Sequence, residues 1–217
     1  MALTRNIPLH MQESALLFID VQNFSAHRSG AEFDGLSDAA FQAKFGWFFE
    51  HMKIQVIPNM QRLQAGFRKA GGEVLYTTIE NLTKDGRDRS LDYKITGFNV
   101  PKGSWDGKVI NQLEPDDDEI IFPKSSSSVF VSTHIDYFLR NLGVKQLVIS
   151  GILTDQCVEG AIRDACDLGY LVTQVTDACH TYSQERHDNS LRTICGYCRQ
   201  LTTDELLAEI TGKITGE

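Results

Sequence analysis

The segment QLVISGILTDQCVEGAIRDACDLGYLVTQVTDA, residues 146–178, decides the fold. Its first part, Gln146–Ile152, is apolar on both faces and reads as a buried strand. Residues Asp155 to Leu168 then read as a helix that stops at Gly169. Tyr170–Ala178 is apolar again and reads as the next strand. Working outward, the same alternation recurs. Towards the N-terminus, Ala15–Asp20, Glu73–Ile79 and Glu119–Lys124 read as strands. Helices are expected over about Asp38–Lys53, over Asn59–Ala70 with Pro58 in the first turn, and over 133–143 with Ser132 as cap. Towards the C-terminus a helix from Gln184 to Cys195, a short strand Arg199–Thr202 and a last helix Asp204–Ile210 complete the chain. Strands that alternate with helices and are apolar on both faces predict an α/β fold, with a mostly parallel six-stranded sheet between two helical layers.

The composition is that of an ordinary globular chain, expected as one domain over 1–217: 217 residues, 41% hydrophobic and 23% charged. The net charge is −8 and no basic stripe is visible, so neither nucleic acid nor an anionic membrane is an expected partner. No apolar run approaches the length of a membrane span, and MALTRNIPLHMQES lacks an apolar signal core; a cytoplasmic location is expected. Five cysteines, an odd number, argue against a disulfide framework. Cys195 and Cys198 form a lone CxxC pair, which supplies too few ligands for zinc. Packing is the expected role of Cys166, Cys179, Cys195 and Cys198.

Parallel sheets of this kind bind ligands at the carboxyl ends of their strands. The first strand ends in Asp20, the third in Lys124, and Cys157 falls in the first turn after the fourth. An acid, a base and a thiol on one edge form a candidate catalytic set. Only a thiolate attacks well, and a helix N-terminus and a nearby ammonium both lower a thiol pKa. Asp20 can take the thiol proton and return it to a leaving group, while Lys124 holds Asp20 ionised. Backbone N–H groups of Leu153 and Cys157 are placed to stabilise an oxyanion.

These residues carry a resemblance. LLFIDVQN (16–23), FPKSSSSVF (122–130) and VISGILTDQCVEGAIRDACDLGY (148–170), in this order, are similar to the isochorismatase-like cysteine hydrolases. The resemblance implies a catalytic triad of Asp20, Lys124 and Cys157, and a Rossmann-type sheet ordered about 3-2-1-4-5-6. It also implies a cis Ile152–Leu153 peptide that turns the Leu153 N–H towards the oxyanion, no cofactor, and a dimer or tetramer. True isochorismatases of the family lack the cysteine, so Cys157 favours amide chemistry. Nicotinamidases carry a metal set with histidine after the second strand; no histidine occurs between Lys53 and Val131 here, so no metal is expected. The stretch GRDRSLDYK (86–94) is similar to members acting on ureides.

The expected activity is therefore cysteine-dependent hydrolysis of a C–N bond in a small ureide of the biuret, triuret, ureidoacrylate or N-carbamoyl type. The alternatives are a nicotinamidase-like or other small-amide hydrolase, and a non-catalytic binding protein. For the substrate side, Asn23 offers an amide, Phe24 an apolar wall and Glu80 an acceptor for urea N–H groups. His180 and Tyr182 follow the fifth strand at the same edge, and Arg87 and Arg89 can either bind a carboxylate or pair with Asp85 and Asp88.

Overall fold

The computed structural model describes residues 4–212. Six strands form one sheet: β1 (Ser14–Ile19), β2 (Glu73–Ile79), β3 (Ile120–Lys124), β4 (Gln146–Ile152), β5 (Leu171–His180) and β6 (Arg199–Leu201). Their order is β3-β2-β1-β4-β5-β6, and every pairing is parallel. β1 and β4 lie in the middle and are buried on both faces, which is why their sequences do not alternate. β3 lies at an edge, where Pro123 is tolerated.

Nine α-helices are described: α1 (Asn23–Ala26), α2 (Asp38–His51), α3 (Ile57–Lys69), α4 (Leu91–Thr96), α5 (Val129–Ser132), α6 (Ile135–Asn141), α7 (Glu159–Asp167), α8 (Gln184–Ile194) and α9 (Thr203–Ile210). Two apolar layers result. Leu17, Ile19, Leu147 and Ile149 point into one with Ile135, Leu139, Val158 and Ile162. Leu16, Phe18 and Val148 point into the other with Phe48, Met60, Leu63, Phe67 and Leu206.

Two elements differ from the sequence expectation. α2 and α3 form one rod, because a π-type turn over Met52–Val56 bridges the expected gap. Pro58 has no N–H to donate, and a wider turn just before it accommodates the missing bond. Ser132 is not the cap of one long helix. It ends α5, which Ser128 caps, and a second helix starts at Ile135. The long segment between β2 and β3 carries a small element of its own, α4, started by Ser90, and then folds back over the end of β1. There Gln22 pairs with Val109, and the Asn23 N–H donates to the Lys108 carbonyl at 2.9 Å.

Candidate active site

β1 ends at Ile19 and the chain turns at once. Asp20 adopts a left-handed conformation, φ 54°, which Asp tolerates better than most residues. Thr77 on β2 fixes its carboxylate by donating to Oδ1 at 2.7 Å. β3 lies beyond β2, and its last residue, Lys124, reaches back under the strand ends. Its Nζ stands 2.9 Å from Asp20 Oδ2, donates to the Ser126 carbonyl at 2.8 Å, and lies 3.4 Å from Cys157 Sγ. Cys157 comes from a π-type turn, Thr154–Val158, that opens α7. The Ile152–Leu153 peptide before it is cis. Asp20, Lys124 and Cys157 thus meet in one buried cluster, as the strand ends predicted.

The electrostatics correct one expectation. Burial pushes the Cys157 thiol up to about 12, and the Lys124 ammonium offsets only part of that rise. The helix start and the ammonium do not make a resting thiolate, because neither replaces the water that a thiolate needs. For Lys124, burial works against the charge, but Asp20 and Cys157 outweigh it and the pKa is raised. It remains an ammonium. Asp20 Oδ2 is buried, and the Lys124 ammonium is its close charged neighbour.

Sequence reasoning missed Tyr93. It sits on α4, 2% exposed, with its hydroxyl 3.1 Å from Lys124 Nζ and 3.7 Å from Cys157 Sγ. Burial first, then the charges of Cys157 and Asp20, raise its pKa, so it stays a neutral hydroxyl. The available signal was an aromatic in a polar segment three residues after a helix-capping serine.

A cavity of about 20 Å³ opens beside Cys157, lined by Asp20, Cys157, Leu153, Gln156, Phe98 and Tyr182 among others. That is room for about one water molecule. The residues expected to bind substrate lie elsewhere. Asn23 uses its amide to donate to the Trp105 carbonyl at 2.9 Å, fastening the folded-back segment. Glu80 accepts the Gly103 N–H at 2.6 Å in that same segment. Phe24 stands behind the cavity wall, packed against Phe98 with ring centroids 5.4 Å apart. None of the three lines the cavity; the segment between β2 and β3 takes them up instead. Arg87 pairs with Asp85 at 2.9 Å, and Arg89 donates to the carbonyls of Gly86 and Phe98.

Tyr182 reaches the cavity but His180 does not. His180 stacks on Phe48, 5.2 Å between centroids, and borders a separate cavity of about 220 Å³ with His51 and His187. Burial, then the neighbouring His187 and His51, lower its pKa to about 3. Of the remaining cysteines, Cys179 and Cys198 are packed in the core. Cys166 is half-buried and Cys195 is exposed, so packing does not explain Cys195. No group of three His, Cys, Asp or Glu residues is arranged to hold a metal among the described residues.

A family model for the isochorismatase domain matches residues 14–205. The chain belongs to the isochorismatase family. Two curated family relatives are both named ureidoacrylate amidohydrolase RutB. The protein from Pantoea ananatis (strain LMG 20103) is 31% identical over 182 residues, covering 80% of this chain and 72% of the relative. The one from Stutzerimonas stutzeri (strain A1501) is 32% identical over 188 residues, covering 82% and 75%. Among solved structures, a cysteine hydrolase from Pseudomonas syringae pv. phaseolicola 1448A superposes with a TM-score of 0.79 at 23% identity. It covers 95% of this chain and 96% of that one. The sheet order of this isochorismatase-family chain is the one its sequence resemblance implied. No helix among the described residues is long and apolar enough to cross a membrane.

Proposed function

We propose that this isochorismatase-family hydrolase cleaves a C–N bond of a small ureide through a thioester on Cys157. The observation that carries this is the contact geometry: one buried ammonium touches both the carboxylate of Asp20 and the sulfur of Cys157. The relatives named as amidohydrolases support the reaction class.

Each step follows from the groups present. A substrate carbonyl carbon approaches Sγ, and Asp20 takes the thiol proton as the C–S bond forms. Because the resting thiol is neutral, deprotonation accompanies attack instead of preceding it. The oxyanion lies against the N–H groups of Leu153 and Cys157, in a helical first turn whose N–H groups lack acceptors four residues back. Asp20 passes its proton to the departing nitrogen, which leaves as ammonia or an amine. Water then gives a proton to Asp20 and attacks the thioester; collapse expels the sulfur, which regains the proton. Lys124 stays charged and holds Asp20 in place, and the Tyr93 hydroxyl lies within reach of both Nζ and Sγ.

The small cavity supports a compact planar substrate, admitted when one of its loop-borne walls moves. Phe98 supplies one such wall. Copies of the chain are proposed to associate; exposed Tyr137, Phe138 and Leu142 on and beside α6 support an apolar contact.

The test is ammonia release from biuret, triuret, ureidoacrylate, N-carbamoyl amino acids and nicotinamide, with and without EDTA. Release from a ureide that is unaffected by EDTA and lost in Cys157→Ser is expected. Release from nicotinamide alone assigns the sister activity, and silence across the panel contradicts the proposal.

A further inference from the structure

The proposed mechanism leaves one carboxyl group in the catalytic cavity unused. Glu32 lies in a short turn, Ala31–Phe33, between α1 and α2. Its neighbours force it inward. The Ala31 N–H donates to Asp106 Oδ1 at 3.1 Å, and Phe33 is locked among Phe41, Phe45 and Phe49 at 4.9–5.4 Å between centroids. Glu32 therefore lines the same cavity as Asp20 and Cys157. Its Oε1 accepts the Tyr182 hydroxyl, while its Oε2 is buried and accepts nothing. An orphaned buried carboxylate oxygen costs free energy unless a ligand supplies the missing donor.

The rest of the lining sharpens the point. Among the described residues, no Arg or Lys lines this cavity. Lys124 is committed to Asp20, Cys157, Tyr93 and the Ser126 carbonyl, and the two arginines of the β2–β3 segment are engaged within it. At the cavity wall a substrate carboxylate would meet two acids, Asp20 and Glu32, and no Lys or Arg side chain.

We propose that Glu32 selects the substrate: its free oxygen accepts an N–H from the distal amide of a neutral, donor-rich ureide and repels ureides that carry a carboxylate. The inference rests on the ureide-hydrolase reading and narrows it. It also separates this chain from the relatives named for ureidoacrylate, a compound that is itself a carboxylate.

Titration gives a signature. Burial raises Glu32 to about 7, with the Tyr182 hydrogen bond and Lys44 working the other way. The groups around it are Tyr182 after β5, Lys44 on α2, Asp106 in the β2–β3 segment, and Asp20 and Cys157 across the cavity. Groups that act equally on two substrates cancel in the ratio of their kcat/KM values. Discrimination against an anion should therefore grow as pH rises through about 7.

The experiment compares biuret, neutral, with N-carbamoylglycine, anionic, from pH 6 to 8.5 in the wild type and Glu32→Gln. Ammonia release gives kcat/KM, and calorimetric titration of Cys157→Ala and of Cys157→Ala/Glu32→Gln gives binding without turnover. The glutamine can still accept the Tyr182 hydroxyl, and thermal unfolding checks that it folds. The wild type should prefer biuret at least tenfold, increasingly with pH. Glu32→Gln should reduce that preference at least tenfold and flatten its pH dependence, mainly through a higher KM for biuret. The proposal is overturned if the wild type accepts N-carbamoylglycine as readily as biuret, a result that needs no variant, or if the substitution leaves the ratio unchanged. Biuret binding that depends on Glu32, without hydrolysis, supports the role of Glu32 and overturns the hydrolase reading. Hydrolysis without discrimination overturns the role of Glu32 alone, and absence of both binding and hydrolysis overturns both.

Discussion

An ammonium withdrawn from water costs several kcal/mol unless it is paired, and Lys124 is 0% exposed with Asp20 Oδ2 at 2.9 Å. Its partner is as deeply buried, so removing either one leaves a stranded charge. Lys124→Met should lower unfolding stability by about 3–5 kcal/mol in urea titrations. Asp20→Asn/Lys124→Met, which removes both charges, should regain most of that loss and remain inactive. A loss in the double variant equal to the sum of the losses in Lys124→Met and Asp20→Asn would mean that the pair is not coupled. The same burial explains what the sequence misjudged at Cys157. The strand-end rule located the thiol, but its protonation depends on how completely other segments exclude water, and no local pattern records that. Glu32 and Tyr93 escaped notice for a related reason. Each is an unremarkable residue, Tyr93 on the short α4 and Glu32 in a turn, until the tertiary fold brings it to the site.

At the scale of elements, the site is set by how β4 meets β1. Gly151 has φ 142°, and a Cβ there would stand 2.3 Å from the Ile19 carbonyl oxygen and 2.6 Å from its nitrogen. Only glycine allows β4 to lie against the strand that delivers Asp20. Gly151→Ala should cost at least about 2 kcal/mol of stability and abolish turnover, because it displaces Asp20 relative to Cys157. Gly169→Ala is the control. It also has positive φ, 97°, but meets nothing within 4 Å, and should lose only about 1 kcal/mol with activity kept. Urea denaturation and ammonia release measure both. The strands and most helices were legible, since apolar runs and glycine stops are local signals. The path of the β2–β3 segment was not. Its turns are local, but its return over β1 rests on bonds from Asn23 and Gln22 that link residues far apart in sequence. That return is why Asn23 and Glu80 fasten a loop instead of facing the cavity.

For the molecule as a whole, two buried groups bend the pH dependence of stability in opposite senses. Glu32 is raised in the folded state to about 7, so its contribution is fully present below the usual glutamate range and is lost as pH climbs through 7. His180 is lowered to about 3, so its contribution is present above the usual histidine range and is lost as pH falls towards 3. In Glu32→Gln the alkaline loss should disappear. The thermal midpoint of the variant minus that of the wild type should therefore increase from pH 5 to pH 8; a constant difference would contradict the burial of Glu32. A single sheet edge thus gathers a proton acceptor, a fixed ammonium, a neutral thiol and a selecting carboxyl from segments spread between residues 20 and 157.

The most direct test of the central claim is to mix the protein with the ureide that it hydrolyses, quench in acid within milliseconds and weigh the intact chain. A mass gain equal to the acyl group, mapped to the peptide containing Cys157, is predicted. It should be absent from Cys157→Ser, whose ammonia release should fall at least about a thousandfold. Undiminished release by Cys157→Ser, or an adduct on another residue, would contradict the account.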